Sequence, residues 1–371
     1  MKLPKNKESG QILVWALILL AIGPLLIVPM LQLSSNIQKY NQMTEIYTLN
    51  TYAADSGIEY AKYQIYNNPS DIQETPLNEN LVINGIDVYV TAEYNFGAAA
   101  YDITSTAEKA GRSLTIDCTI VIDVGLFGNV VACDGDLTIT QCDFVSDLQG
   151  EADIYTNGDI DLFQSTVDGD VKASGVVRNH SSTVTGEIIE GAEALEFPPI
   201  DAELHEEKAK LGGTSGSISW NKQSTKNLGP LYIQGDLNVM KTDIVLHGTV
   251  YVTGNVYIDQ SNISGFGDIL CEGGVGFNMD HYSYTIGDSP ILPLIMAING
   301  GVDLTHDEGD GTYGILYAPQ GLINLDHVEV TGSVAAPAVN LVQARINYPA
   351  EMRGRADLPG AGLDIVTYLF E

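Results

Sequence analysis

Basic residues are scarce in this chain: of 371 residues, 17 are Lys or Arg against 48 Asp or Glu, a formal net charge of −31. Tracking a phosphate backbone relies on Lys and Arg density, so the balance argues against nucleic acid as a partner. Cysteine is equally sparse. Cys118, Cys133, Cys142 and Cys271 form no C-x-x-C pair, and four widely spaced thiols make neither a disulfide scaffold nor a zinc site. Buried thiols are expected; a Cys133–Cys142 bridge would require successive strands to bring the two together. The six histidines make no H-E-x-x-H pattern, and there is no G-x-S-x-G elbow or phosphate-binding loop. Metal and nucleophilic catalysis therefore have no motif behind them, and neither a catalytic residue nor a cofactor is expected.

Charge is also missing locally, with no charged residue between Glu8 and Lys39. Within that stretch residues 12–31 form an apolar run that can cross about 30 Å of hydrocarbon as a helix. A secretory signal has a shorter core and a small-x-small cleavage site. Lys2, Lys5 and Lys7 precede the run and favour a cytoplasmic N-terminus, which sends the remainder outward. Gly23, Pro24 and Pro29 predict a kink or local melting within it.

From Leu33 to Tyr66 the apolar spacing remains helical. One helix of more than 50 residues results, apolar all round at first and amphipathic later. Period-two alternation follows at Ile86, Val88, Val90, Ala92 and Tyr94, at Tyr101, Ile103, Ser105 and Ala107, and at Leu114, Ile116, Cys118, Ile120 and Ile122. These are strands of an antiparallel meander whose apolar face can cover the helix. Beyond Val124 short apolar pieces alternate with Gly-Asp, Gly-Asn and Asn-Gly phrases, as at Asn157-Gly158-Asp159-Ile160 and Gln234-Gly235-Asp236-Leu237. Irregular repetition of one strand-and-turn unit predicts a parallel β-solenoid.

The resulting division is a basic leader-like segment at 1–10, a helix at 11–66, a β-meander at 67–124 and a first solenoid block at 125–191. An insertion or linker at 192–230 contains a short charged helix from Asp201 to Leu211 and reads as a surface excursion, lid or hinge. A second solenoid block covers 231–351, and 352–371 is expected to cap the last coil. The fold class is thus a long N-terminal α-helix with a small antiparallel α+β domain, followed by a parallel β-helix.

Glu8-Ser9-Gly10-Gln11, the apolar run, and then Tyr52-Ala53-Ala54-Asp55-Ser56-Gly57-Ile58-Glu59 together resemble PilX-type minor pilins and related pilin-like proteins over roughly residues 7–66. The resemblance implies a helix held in the membrane through residues 12–31 and later packed among other pilin-like subunits. It also implies cleavage by a prepilin peptidase between Gly10 and Gln11, and a location at the cell surface or in a pilus. Gln11 departs from the common first residue of the mature chain. Trp15 stands where pilins usually carry a buried Glu, which fits a minor or accessory subunit. The distal repeats resemble the β-helical passenger of some large pilin-like proteins and, more loosely, bactofilins.

Three further constellations invite chemistry. Asp159, Asp161, Asp168 and Asp170 supply paired acids of the kind that cleave glycosides, although turns demand the same residues. Lys172, Arg178, Lys241 and Arg345 show no clustered spacing suited to a lyase. Asp307, Glu308 and Asp310 are the densest carboxylates and weak candidates for Ca²⁺, without the full loop spacing of an EF-hand. Tyr282, Tyr284, Tyr313 and Tyr317 are candidates to line a carbohydrate-binding face. The expected function is a minor pilin or pilin-like surface protein displaying its solenoid for adhesion to a surface carbohydrate or protein. A membrane-anchored β-helical carbohydrate-active enzyme and a bactofilin-like scaffold are the alternatives.

Overall fold

The computed structural model describes residues 9–67, 69–278, 285–286, 292–305 and 311–370. Helix α1 (Ser9–Asn67) is one element of 59 residues. It runs through Gly23, Pro24 and Pro29 without interruption, so the expected local melting does not occur. Each proline removes one hydrogen bond, and the long flanking runs of helical backbone carry the element across these breaks. A short α2 (Pro69–Glu74) follows. Strands β1 (Leu77–Ile83), β2 (Ile86–Asn95), β3 (Ala100–Lys109) and β4 (Arg112–Asp123) then form an antiparallel meander.

The chain does not end on the solenoid. Strand β5 (Gly362–Phe370) returns to pair antiparallel with β4, from Gly362 beside Asp123 to Phe370 beside Ile116. The sheet therefore has five strands in the order β1-β2-β3-β4-β5, and the expected C-terminal cap is its edge strand instead. The segment is held through backbone pairing, since Ile365, Val366, Leu369 and Phe370 stay exposed along this edge.

Between β4 and β5 lies a parallel β-solenoid of about ten turns. Each turn has three short strands on three faces, as in Val131–Cys133, Leu137–Thr140 and Asp143–Ser146. Inward residues stack in columns. On the second face Val256, Val275, Val302, Ile323, Leu137 and Ile160 are all buried. Each such side chain contributes about 1.5–3 kcal/mol by leaving water.

The stacking order is permuted relative to the chain. Val131–Cys133 pairs on one side with Ile154–Thr156 and on the other with Glu329–Ala336. Leu137–Thr140 and Asp143–Ser146 likewise meet Ala338–Val342 and Arg345–Tyr348. The chain thus enters mid-solenoid, winds to one end at Ile188–Glu190, crosses to the far end at Thr214–Asn221, and winds back to meet its own first turn. The two sequence blocks join last-to-first.

The crossing segment is a strap. The Tyr155 hydroxyl donates to the Glu193 carbonyl at 2.6 Å and accepts from Leu195 N–H at 3.1 Å. Asn157 Nδ2 donates to the Leu195 carbonyl at 2.9 Å, and the Tyr317 hydroxyl bonds the Pro198 carbonyl. Helix α3 (Ala202–Lys210) follows, capped by Asp201, which accepts from Leu204 N–H; a carboxylate suits that end of a helix. The segment is tied along the solenoid flank through the backbone of Glu193, Leu195 and Pro198, and from Thr214 on the expected insertion is already solenoid strand.

His205 of α3 is buried near Asp268, and burial lowers its pKa while burial raises that of Asp268. Beside them Arg355 donates through Nε and Nη2 to Asp357 at 2.7 and 2.8 Å, and through Nη1 to the Leu292 carbonyl at 2.7 Å. Although burial opposes it, Arg355 holds the Asp357 carboxyl below the usual range. Strap, solenoid and C-terminal segment are joined at this point.

Candidate functional site

The N-terminal and C-terminal parts of α1 differ in what covers them. Between 14 and 43 its described large apolar side chains lie open, with Leu19 69% exposed, Leu20 77% and Leu33 61%. Trp15 is 65% exposed. Farther on, Asn50 Nδ2 donates to the Arg112 carbonyl at 2.9 Å, and Ala53, Ala54, Gly57, Ile58, Ala61 and Ile65 are buried against the sheet. Their spacing of three and four places them on one helix face. Gly57 is required by proximity: a β-carbon there would collide with Ser105 Oγ and lie 2.9 Å from Val90 Cγ2 and 3.0 Å from Val88 Cγ1. The Ala-Ala-Asp-Ser-Gly-Ile phrase is the seat of the helix on the sheet.

Among the described residues no helix is long and apolar enough to cross a membrane. The side chains of residues 9–13, 21 and 23–26 lie outside the described set, so the 12–31 span is only partly within it. Gly10 and Gln11 belong to the first turns of α1; their side chains, and the whole of Lys2, Lys5 and Lys7, fall outside the description. So do Asp307, Glu308 and Asp310, together with Tyr282 and Tyr284. Among the described residues no cluster of three His, Cys, Asp or Glu is arranged to hold a metal.

The aspartates of the Gly-Asp phrases act as rungs between turns. Asp136 Oδ1 accepts from Asp159 N–H at 2.9 Å, and Asp159 Oδ1 from Val176 N–H at 2.9 Å. Asp153 and Asp170 make an equivalent pair of rungs to Asp170 N–H and Glu187 N–H, each 2.8 Å. In the second block Asp236 and Asn255 accept from Asn255 N–H and Gly274 N–H. The glycine before each rung follows from the same geometry: a β-carbon at Gly175 or Gly254 would strike the carboxylate of Asp159 or Asp236 below it.

These bonds set the electrostatics. The Val176 N–H, with Arg178 beside it, lowers the Asp159 pKa; the Glu187 N–H does the same for Asp170. Arg178 reaches Asp159 at 2.7 Å and Asp161 at 3.4 Å, while Lys172 reaches Asp153 at 2.6 Å and Asp170 at 3.3 Å. A general acid needs a raised pKa, so Asp159 and Asp170 are shifted the wrong way for the general-acid role in glycoside cleavage. Asp168 accepts from the Thr185 hydroxyl at 2.9 Å.

All four cysteines are free and buried. Cys133 and Cys142 sit in one solenoid turn, separated by the strand Leu137–Thr140, roughly 13 Å of extended chain. They therefore cannot bridge. Burial pushes the Cys142 thiol up to about 11 and that of Cys271 to about 12.

Of the four tyrosines singled out by sequence, Tyr313 and Tyr317 fall within the described residues. Tyr317 is wholly buried, its ring 5.3 Å from that of Phe127, and Tyr313 is half-buried. The second face instead presents Tyr257, 39% exposed, and Phe163, whose ring stacks on His180 at 4.4 Å. Tyr257 borders a groove of about 730 Å³ floored by Gly274, Gly276 and Gly301, with Leu322, Asp303 and Asn324 around it. Only the register reveals this neighbourhood, since Tyr257, Gly276, Asp303 and Asn324 come from four successive turns.

No family model matches the chain. No curated protein matches it. Among solved structures, the crystal structure of the competence-associated pilin ComZ from Thermus thermophilus aligns over 88% of this chain and 98% of that one. The identity is 11% and the TM-score 0.29, too low to define a shared fold.

Proposed function

We propose that the chain is a pilin-like surface subunit, a minor or accessory one, that is anchored and assembled through the N-terminal part of α1 and displays the solenoid outward. One observation carries the reading: α1 is sealed to the sheet from Asn50 onward yet leaves large apolar side chains open along the preceding residues. Exposed apolar surface on this scale calls for a lipid or protein environment. The absence of charge between Glu8 and Lys39 suits both environments in turn.

The two alternatives are less well supported. End-to-end stacking of solenoids, as a bactofilin-like scaffold requires, needs open apolar ends. Here Asn179 stands in the column of Leu162 and Ile139, and Glu190 Oε1 accepts from Val177 N–H at 2.9 Å, blunting one end. An enzyme would need its acids free of structural duty, and Asp159 and Asp170 hold neighbouring turns together.

The test is the intact mass of the protein purified from its native membranes. Loss of residues 1–10, with N-methylation of Gln11, is expected. An unprocessed N-terminus would overturn the assignment.

A further inference from the structure

We infer that the groove on the second solenoid face binds a neutral oligosaccharide, stacked on Tyr257 and hydrogen-bonded to Asp303. The inference rests on the display role above and supplies the ligand class and the site. The groove crosses four turns, so its length is about 14 Å at the usual strand spacing. Its floor is made of Gly274, Gly276 and Gly301, and the Tyr257 ring reaches over Gly276 while the residue stays exposed. Aromatic faces of this kind take the apolar C–H face of a ring with polar edges.

The polar side of the groove is organised in advance. Asn340 Nδ2 donates to Asn324 Oδ1 at 2.6 Å, and Asn324 Nδ2 donates to Asp303 Oδ1 at 2.8 Å. This chain fixes the Asn324 amide against the exposed Asp303 carboxylate, which keeps lone pairs to accept from sugar hydroxyls. Little reorganisation is needed on binding.

Other ligand classes fit poorly. An added peptide strand needs a free sheet edge, but the strands Val256–Asp259, Val275–Asn278, Val302–Thr305 and Leu322–Asp326 are each paired on both sides. An amphipathic helix needs a row of apolar anchors, whereas the exposed apolar walls here are Tyr257 and Leu322. A polyanion meets Asp303 and a net charge of −31, which repels it at a distance.

The full chain, purified in a detergent without a sugar headgroup, is applied to a printed array of neutral, sialylated and uronate-bearing oligosaccharides. Retention of neutral glycans is expected. Tyr257→Ala and Asp303→Ala each weaken it about tenfold, as loss of a central contact does, while Tyr257→Phe and the distant Phe163→Ala leave it within about twofold. Retention of no neutral glycan, retention of anionic glycans alone, or indifference to both alanine substitutions would overturn the inference. The N-terminal mass of each variant is read in parallel, so that a failed groove is distinguished from a failed pilin assignment.

Discussion

The seat of α1 on the sheet can be tested at Gly57. Gly57→Ala adds one methyl group into the space of Ser105 Oγ and crowds Val88 and Val90. Overpacking of this kind costs typically 1–3 kcal/mol, and replacing a mid-helix glycine by alanine returns about 1 kcal/mol. The net expectation is destabilisation of the helix–sheet contact by about 1 kcal/mol. Ser105 Oγ is buried without a hydrogen-bond partner, so Ser105→Ala removes the colliding atom at little cost. The double variant should recover most of the loss, an interaction energy of about 1 kcal/mol. Cys118 is a native reporter, buried on the helix-facing side of β4, whose alkylation requires the contact to open. Peptide-resolved labelling should show Cys118 reacting about fivefold faster in Gly57→Ala and near the parental rate in the double variant. Cys142 and Cys271, in the solenoid, should not change. Unchanged Cys118 labelling in Gly57→Ala, or a double variant as labile as the single one, would refute the close-approach argument.

Other expectations follow from the solenoid and its strap. Gly175→Ala should lower solenoid stability by about 1–3 kcal/mol through collision with Asp159, measured by thermal unfolding followed by circular dichroism. Tyr155→Phe removes the hydroxyl that holds Glu193 and Leu195; a loss of about 1 kcal/mol should appear as faster proteolysis within 193–200. Arg355→Ala leaves Asp357 unpaired and should cost about 3–5 kcal/mol, read as a lower unfolding midpoint. Asp159 and Asp170 have folded pKa values below the ordinary aspartate value of about 3.9. Their stabilisation is therefore complete above that value and lost as pH falls through the folded pKa. Asp159→Asn with Asp170→Asn should flatten the stability profile below about pH 4, and an unchanged acid transition would count against the rungs.

Sequence pattern revealed local units better than their partners. The alternation from Ile86 to Tyr94 announces β2 because one face is buried and the other wet. Strand β1 has no such signal: its Asn78, Glu79 and Asn80 lie exposed on an edge. Strand β5 escapes notice because a bulge between Ile365 and Thr367 shifts the phase of its side chains. The permuted stacking was invisible for another reason. Many turns carry a similar Gly-Asp, Gly-Asn or Gly-Gly phrase, so the phrase fits any neighbour and does not state which turn lies below. The groove shares that limit. Tyr257 and Asn324 stand far apart in sequence and become neighbours only through two intervening strands, and a missing side chain at Gly276 signals a turn as readily as a cleft. The aromatic residues singled out by sequence fail likewise at Tyr317, because aromatics fill cores as well as faces.

Asp123 and Gly362 face each other across the last pair of strands, so the solenoid occupies the place where a hairpin loop would join β4 to β5. An insertion into a loop leaves the parent sheet topologically complete. The helix-bearing unit is accordingly a chassis and the solenoid its cargo, exchangeable without rewiring a single strand. Residues 350–354 belong to the chassis, because the buried Tyr101 hydroxyl donates to the Gly354 carbonyl at 2.9 Å and Gln73 Nε2 to the Glu351 carbonyl at 3.2 Å. Any cargo whose own ends lie as close together could be carried in the same slot.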